Sequence, residues 1–380
     1  MNFEFTEEQL MIQQAARDFA QRELLQDVIE RDYKAEFPAA HVRKLAELGF
    51  MGMMVSPEYN GGGMDTISYV LAMEEISKVD SSVSVIMSVN NSLVCYGLEK
   101  YGSEAQKEKF LKVLASGEKI GAFLLSEPEA GSDATHQKTL AEDKGDHYLI
   151  NGTKNWITSA NSASYYILIA QTHPELKHKG INAFIIDKST TGISLGPHED
   201  KMGMRSSDTH SVMFNDVKIP KDSRIGEDGF GFKFAMKTLE GGRIGIAAQA
   251  LGIASGAMER AIKYSKERKA FGTEIMNHQA VAFKLADMAV KVENARNLCL
   301  KAAWLKDQGK PYGFMSAMAK QYAADIAMDV TTEAVQIHGG YGYVKEYHVE
   351  RLMREAKLTQ IYEGTSEVQK IVISRALLTE

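Results

Sequence analysis

The chain has 380 residues, 44% of them hydrophobic and 25% charged. That allows two or three domains with a sizeable core and excludes a collagen-like, disordered or low-complexity polypeptide. Lys and Arg number 44 against 50 Asp and Glu, a net charge of −6 with no basic block, so nucleic acid is disfavoured as a partner.

Two cysteines, Cys95 and Cys299, can build neither a disulfide framework nor a Cys-rich zinc site; they read as small buried apolar residues suited to a reducing compartment. No apolar run reaches the ~18 residues of a membrane span. The acidic start, Met1 to Glu8, has neither the apolar core of a secretory signal nor the arginines of a transit peptide. A cytoplasmic location is the expectation, and a mature mitochondrial matrix chain would look the same.

Only 7 residues are Pro, with none between Pro57 and Pro128, between Pro220 and Pro311, or after Pro311. Proline breaks helix interiors, so both ends of the chain are open to long helices. Pro128, Pro174, Pro197 and Pro220 mark out a different middle.

Taken in chain order, residues 1–120 read as an N-terminal helical domain. The spacing of Thr6 and Gln9 predicts a capping box, with Phe5 and Leu10 spaced as a hydrophobic staple. Met11, Ala15 and Phe19 then recur as one helix face. Ser103 and Gln106 repeat the box, followed by a stripe of Phe110, Leu111 and Leu114 and a stop at Gly117.

Residues 121–222 predict a small antiparallel β domain. Lys144-Gly145-Asp146 and Asn151-Gly152 have the chemistry of hairpin turns. The stretches from Tyr148 to Ile150, Trp156 to Thr158, Tyr165 to Ala170, Ala183 to Ile186 and Ser211 to Phe214 are short and rich in β-branched and aromatic residues. Residues 223–380 read as helical again, with repeats such as Ala282, Leu285, Ala286 and Ala289. The Met-rich stripes read as core filler rather than a cofactor box.

Several signatures of chemistry are missing. There is no dinucleotide fingerprint, no H-E-x-x-H, no C-x-x-C and no G-x-S-x-G. The segment Gly226 to Lys233 fails the phosphate-loop pattern because Phe232 stands where Lys is needed. The scattered histidines offer no metal site. Simple nicotinamide, ATP, zinc and serine-hydrolase readings all lose support.

Three separated segments carry a resemblance. They are Leu125-Ser126-Glu127-Pro128-Glu129-Ala130-Gly131-Ser132-Asp133; Gln336-Ile337-His338-Gly339-Gly340-Tyr341-Gly342-Tyr343, continuing through Glu346, Arg351 and Glu355; and Ile361-Tyr362-Glu363-Gly364-Thr365-Ser366-Glu367. Their order and the α–β–α organisation resemble the acyl-CoA dehydrogenase family over essentially the whole chain. Leu124, His136 and Glu240 depart from that family's pattern.

The resemblance implies a mainly α fold. It would have an N-terminal helical domain, a middle β-barrel-like domain and a C-terminal four-helix bundle. It also implies FAD. Phe123, Leu125, Ser126, Gly131, Ser132, Trp156, Ile157 and Thr158 would lie along the flavin and its pyrophosphate. Arg268, Phe271 and Gln279 would hold the adenosine diphosphate part. Gln336, Ile337, Gly339 and Gly340 would reach the FAD of a neighbouring subunit, with Thr365 and Glu367 as further contacts.

On residues alone these segments also read as a Pro/Gly loop, a strand tryptophan in a β core, a helix stop and solvated charges. Glycines do permit close backbone approach to a phosphate chain, and Arg offers it a planar fork.

The resemblance makes Glu363 the catalytic base, with Ser132, Glu240, Arg243, Tyr362 and Gly364 near the substrate. Some relatives carry the base just before the Arg of Glu240-Gly241-Gly242-Arg243. Gly242 stands at that position, so Glu363 has no competitor. The implied reaction is α,β-dehydrogenation of a short-chain acyl-CoA, as in fatty-acid β-oxidation, with an electron-transferring flavoprotein as acceptor and a homotetramer as the assembly. A branched short-chain or glutaryl-type substrate, an acyl-CoA oxidase and a cofactor-less helical scaffold are the alternatives.

Overall fold

Residues 4–378 are described by a computed structural model. The first part is helical: α1 (Glu7–Phe19), α2 (Val28–Lys34), α3 (Ala39–Glu47), α4 (Thr66–Ser77), α5 (Ser81–Ser88), α6 (Tyr96–Tyr101), α7 (Glu104–Gln106) and α8 (Lys112–Ala115). Both capping boxes form. The Thr6 hydroxyl accepts from Gln9 N at 3.2 Å while Gln9 Oε1 accepts from Thr6 N at 3.0 Å, and Ser103 with Gln106 repeats the pattern at 3.2 and 3.1 Å. Gly117 follows α8 with φ +74°.

The buried face of α1 differs from the expected one. Met11 is exposed, and the inward residues are Gln9, Ala16 and Phe19, continued by Ala20 and Leu24 in a π-helical turn. Gln9 is drawn inward by Asp65, whose Oδ2 accepts from Gln9 Nε2 at 2.7 Å. Met11, two positions on, therefore faces the opposite side of the helix.

The middle part holds β1 (Gly121–Leu124), β2 (Leu140–Asp143), β3 (His147–Thr158), β4 (Tyr165–Gln171), β5 (Ile181–Asp187), β6 (Ile193–Leu195), β7 (Thr209–Pro220) and β8 (Arg224–Ile225). They form one sheet in the order β6-β7-β3-β2-β4-β5-β8, with β1 also on β4. The pairings are antiparallel except β1–β4 and β2–β4, so the sheet is mixed rather than purely antiparallel. The β2–β3 hairpin separates β1 from β4 in the chain, and the crossover this makes brings β4 in parallel to β1.

Lys144-Gly145-Asp146 closes that hairpin, with Lys144 N donating to His147 O at 3.0 Å. Asn151-Gly152 is not a turn. It lies inside β3 opposite a bulge in β7, where Asn215 and Asp216 face the single Asn151 and the register slips between Ile150 and Gly152. Asn151 Oδ1 accepts from Asp216 N at 2.9 Å and its Nδ2 donates to Asp216 Oδ1 at 3.0 Å. Gly152 has φ +146°, and a Cβ there would lie 2.6 Å from Thr139.

The last part contains α9 (Gly231–Glu267), a short hairpin of β9 (Lys269–Ala270) and β10 (Thr273–Glu274), α10 (Gln279–Asp307), α11 (Gly313–His338), α12 (His348–Thr359) and α13 (Ser366–Leu378). The long α9 is the hub, packing on α4, α10, α11 and α12 and meeting the sheet at β4 and β5. A seam of small residues lets α4 and α5 come close: a Cβ on Gly245 would lie 2.6 Å from Tyr69 Oη and Ser88 Oγ, and one on Gly252 2.5 Å from Glu74 O.

The Ala repeat of α10 faces outward. Ala282, Ala286 and Ala289 are exposed and Leu285 is half-buried, while Met288, Val292, Ala295, Cys299, Ala302 and Ala303 turn inward. The inward face is the one α9 and α11 cover. Cys95 and Cys299 are buried and unpaired. Among the described residues no helix is long and apolar enough to cross a membrane.

Candidate active site

Glu363 sits in the short loop between α12 and α13 with φ +51°, a left-handed conformation unusual for a residue with a Cβ. The residue as a whole is half-buried, but its Oε2 is enclosed and has no hydrogen-bond partner. That oxygen rests on α9 at Gly242, where a Cβ would come within 2.2 Å of it. Leu93, in the π-helical stretch between α5 and α6, closes the other side, 2.8 Å from the same Cβ position. Burial pushes the carboxyl up to about 7, against the opposing pull of Lys320 and Arg243.

Buried polar groups surround it. Arg243 is buried with its Nε unpartnered, and burial lowers its pKa against the fields of Glu240 and Glu363. The Tyr362 hydroxyl donates to Gln249 Oε1, and Gln249 Nε2 donates to Ser81 O and Ser84 Oγ, each at 2.9 Å. Tyr69 donates to Ser88 Oγ at 3.1 Å. Lys320 Nζ donates to Gly364 O at 2.7 Å, and Gln369 Nε2 donates to the same oxygen at 2.9 Å.

A second group lies on the sheet. The buried Lys154 donates to Leu125 O and Gln137 Oε1, both at 2.9 Å, and pairs with Glu127 at 2.8 Å. Asn155 N donates to Ser126 O at 2.9 Å. These bonds join the loop after β1 to the end of β3. There a second bulge, with Trp156 at φ +61°, turns the indole outward so that it is 61% exposed, while Ile157 is buried. Phe123 and Thr158 are half-buried, and Gly131 and Ser132 lie on the exposed loop.

A third group surrounds a cavity of about 590 Å³ lined by Tyr264, Arg268, Ile337, Gly339, Gly340 and Tyr341, among others. Phe271, Gln279 and Gln336 are exposed and lie outside that lining; Phe271, at the β9–β10 tip, is 97% exposed. Thr365 Oγ1 accepts from Val368 N at 3.2 Å and so caps α13, and Glu367 is exposed in the first turn. Glu240 is half-buried and pairs with Lys237 at 3.2 Å.

Comparison with known proteins matches three consecutive family descriptions. They are the acyl-CoA dehydrogenase N-terminal domain over residues 6–118, the middle domain over 122–217 and the C-terminal domain over 229–378. The chain belongs to the acyl-CoA dehydrogenase family. It is 50% identical over 374 residues to a short-chain specific acyl-CoA dehydrogenase of Clostridium acetobutylicum, covering 98% of this chain and 99% of that one. It is 48% identical to the human mitochondrial short-chain specific enzyme, covering 99% and 91%.

Among solved structures, butyryl-CoA dehydrogenase from Megasphaera elsdenii superposes with a TM-score of 0.98 at 48% identity, over 100% of both chains. A chain solved in work on the electron transferring flavoprotein of Acidaminococcus fermentans and flavin-based electron bifurcation gives 0.99 at 49%, also over 100% of both.

Acyl-CoA dehydrogenases are flavin-dependent oxidoreductases, and the residues present suit such a group. An outward indole and an outward Phe271 ring are costly in water and suited to a planar ligand. Cβ positions built at Gly131, Gly339 and Gly340 meet nothing within 4 Å. Sequence reasoning missed Lys320, Gln369 and Lys154. A lysine at helical spacing from Ser316, Ala323, Ala324 and Ala327 is the signal that could have exposed Lys320.

Proposed function

We propose that this acyl-CoA dehydrogenase converts a short-chain acyl-CoA to the trans-2-enoyl-CoA, with Glu363 taking the α proton. The observation that carries the reading is the enclosed, unpartnered Oε2 of Glu363 in the recess left by Gly242. The α hydrogen of a thioester is a weak acid, so its base must be more basic than a surface carboxylate. Burial supplies that increase. Because Oε2 has no donor to give up, it accepts the proton without first breaking a hydrogen bond.

The Glu363 N–H makes no backbone hydrogen bond among the described residues, and we assign it to the thioester oxygen. Negative charge grows there as the proton leaves, and a fixed N–H in a dry site stabilises it by a few kcal/mol, on the order of 3. Gly364, at φ +90°, lets the turn pack on α13, since a Cβ there would lie 2.7 Å from Gln369 Nε2. Buried Arg243 keeps the surrounding potential positive, and Leu93 and Tyr362 exclude water.

FAD, when bound, accepts the β hydride and supplies the redox chemistry. Phe123, Leu125, Ser126, Gly131, Ser132, Trp156, Ile157 and Thr158 would hold its ring and pyrophosphate. Arg268, Phe271 and Gln279 would hold its adenosine diphosphate part, completed by Gln336, Ile337, Gly339 and Gly340 of a neighbouring subunit. The outward face of α10, with Ala282, Phe283, Ala286, Ala289 and Val290 exposed, supports a homotetramer, since an apolar patch of this kind marks a protein contact. The near-identical fold of the chain from the electron transferring flavoprotein work supports such a flavoprotein as electron acceptor.

Anaerobic titration of the purified flavoprotein with acyl-CoA esters of different length and branching tests the reading. Bleaching by butyryl-CoA ahead of longer, branched and glutaryl esters is expected. Failure of every ester to bleach the flavin contradicts it.

A further inference from the structure

Lys320 is fully buried on a face of α11 otherwise made of Ser316, Ala319, Ala323, Ala324 and Ala327. An ammonium in such a place is costly unless its charge and protons are used. Its Nζ donates to a carbonyl oxygen, that of Gly364, rather than to a carboxylate. Gln369 Nε2 grips the same turn from α13, reaching Glu363 O at 3.2 Å as well as Gly364 O.

Further along α11, Asp325 Oδ1 accepts from Gln360 Nε2 and from Ser366 Oγ, each at 2.9 Å. Helix α11 therefore pins the base loop at both ends through Asp325 and in the middle through Lys320. The pinned middle contains two consecutive residues with positive φ, Glu363 at +51° and Gly364 at +90°. The first of these is strained and persists only when its surroundings hold it.

We propose that Lys320 is a positioning residue for the base. Its Nζ holds the Glu363–Gly364 backbone in the left-handed turn that aims the carboxylate into the Gly242 recess, and its charge governs how readily that carboxylate ionises. The inference rests on the reading of Glu363 as the base. The cations facing Glu363 are Lys320 from α11 and Arg243 from α9; the Tyr69 hydroxyl from α4 and the neighbouring Tyr362 hydroxyl are uncharged. The charges facing Lys320 are Glu363, Asp325, Arg243 and Glu367. Burial lowers Lys320 to about 8, so it carries its proton at neutral pH.

The test compares unsubstituted holoenzyme with Lys320→Met, Lys320→Arg and Gln369→Leu. Flavin reduction by butyryl-CoA is followed anaerobically from acid to alkaline pH. Binding of acetoacetyl-CoA, whose β-keto group leaves no β hydride to give to the flavin, is read from flavin absorbance and gives a pH midpoint without turnover. Removing a cation makes the carboxyl harder to ionise, so Lys320→Met moves the acid midpoint up by about half a unit or more. It also lowers the alkaline plateau about tenfold or more through misplacement of the base.

Lys320→Arg keeps the midpoint, and Gln369→Leu lowers the plateau without moving it. An unmoved midpoint in Lys320→Met, or a midpoint in Lys320→Arg displaced as far as in Lys320→Met, overturns the proposal. Where Lys320→Met does not fold or retain flavin, the other two variants decide: a displaced midpoint in Lys320→Arg, or an unreduced plateau in Gln369→Leu, overturns it. Unsubstituted enzyme that no acyl-CoA bleaches contradicts the base assignment itself, before any variant is compared.

Discussion

The Glu363 carboxylate and the α carbon of Gly242 share one space: a single methyl group on Gly242 would stand 2.2 Å from Oε2. The carboxylate on the α12–α13 loop and the glycine on α9 are thus two halves of one device. Side-chain bulk at either place excludes the other. Gly242→Ala lies within a helix where alanine is the better former, so the variant folds. Its Glu363 carboxylate is displaced by about an ångström, which, if Glu363 takes the α proton as proposed, costs about 10²-fold in flavin reduction. Stopped-flow reduction by butyryl-CoA alongside far-UV circular dichroism checks both halves of this expectation.

The same burial that raises the basicity of Glu363 works against the fold. Its carboxyl is raised from 4.5 to about 7, chiefly by burial, and so is that of Glu355. A carboxyl raised in the native state keeps its proton there while the unfolded chain has lost it, so stability falls as pH rises from about 4.5 to 7. Glu363→Gln removes that penalty. Its melting temperature exceeds that of the unsubstituted protein at pH 8, and the gap closes toward pH 4.5. A lower melting temperature at pH 8 contradicts the assigned burial.

Trp156 is turned out of the sheet by a bulge and is 61% exposed. A structural tryptophan would turn inward. Trp156→Ala therefore leaves the melting temperature of the flavin-free protein within a few degrees. It weakens flavin retention by about 1–3 kcal/mol, the range for losing an aromatic contact. Flavin-to-protein absorbance ratios after dialysis measure this.

Gly152 occupies φ +146° with Thr139 crowding its missing Cβ. Gly152→Ala adds both backbone strain and overlap, a destabilisation of about 1–3 kcal/mol, measurable by urea unfolding. Lys144, in the true hairpin turn nearby, tolerates substitution by alanine.

These contrasts mark what the sequence makes legible. The Thr6 and Ser103 caps are local: donor, acceptor and spacing all lie within four residues, and both form. Asn151-Gly152 has the chemistry of a hairpin turn, yet the partner that settles its conformation is Asp216, on another strand. The Ala repeat of α10 has the right spacing for a core stripe, but which face turns inward depends on where α9 and α11 lie. The motif around Glu363 singles that residue out in the sequence. Lys320 is not singled out, because a lysine in a helix reads as solvated until the helix that buries it is placed. The β1–β4 pairing was hidden for the same reason, since the β2–β3 hairpin lies between its two strands in the chain.

The central claim is that Glu363 is the base. It is tested most directly by single-turnover anaerobic reduction of Glu363→Gln with butyryl-CoA. The amide keeps the shape of the carboxylate and cannot accept the proton. The expected result is a folded, yellow protein that still binds the thioester while its flavin is reduced ~10²–10⁴-fold more slowly. Reduction within tenfold of the unsubstituted rate would contradict it.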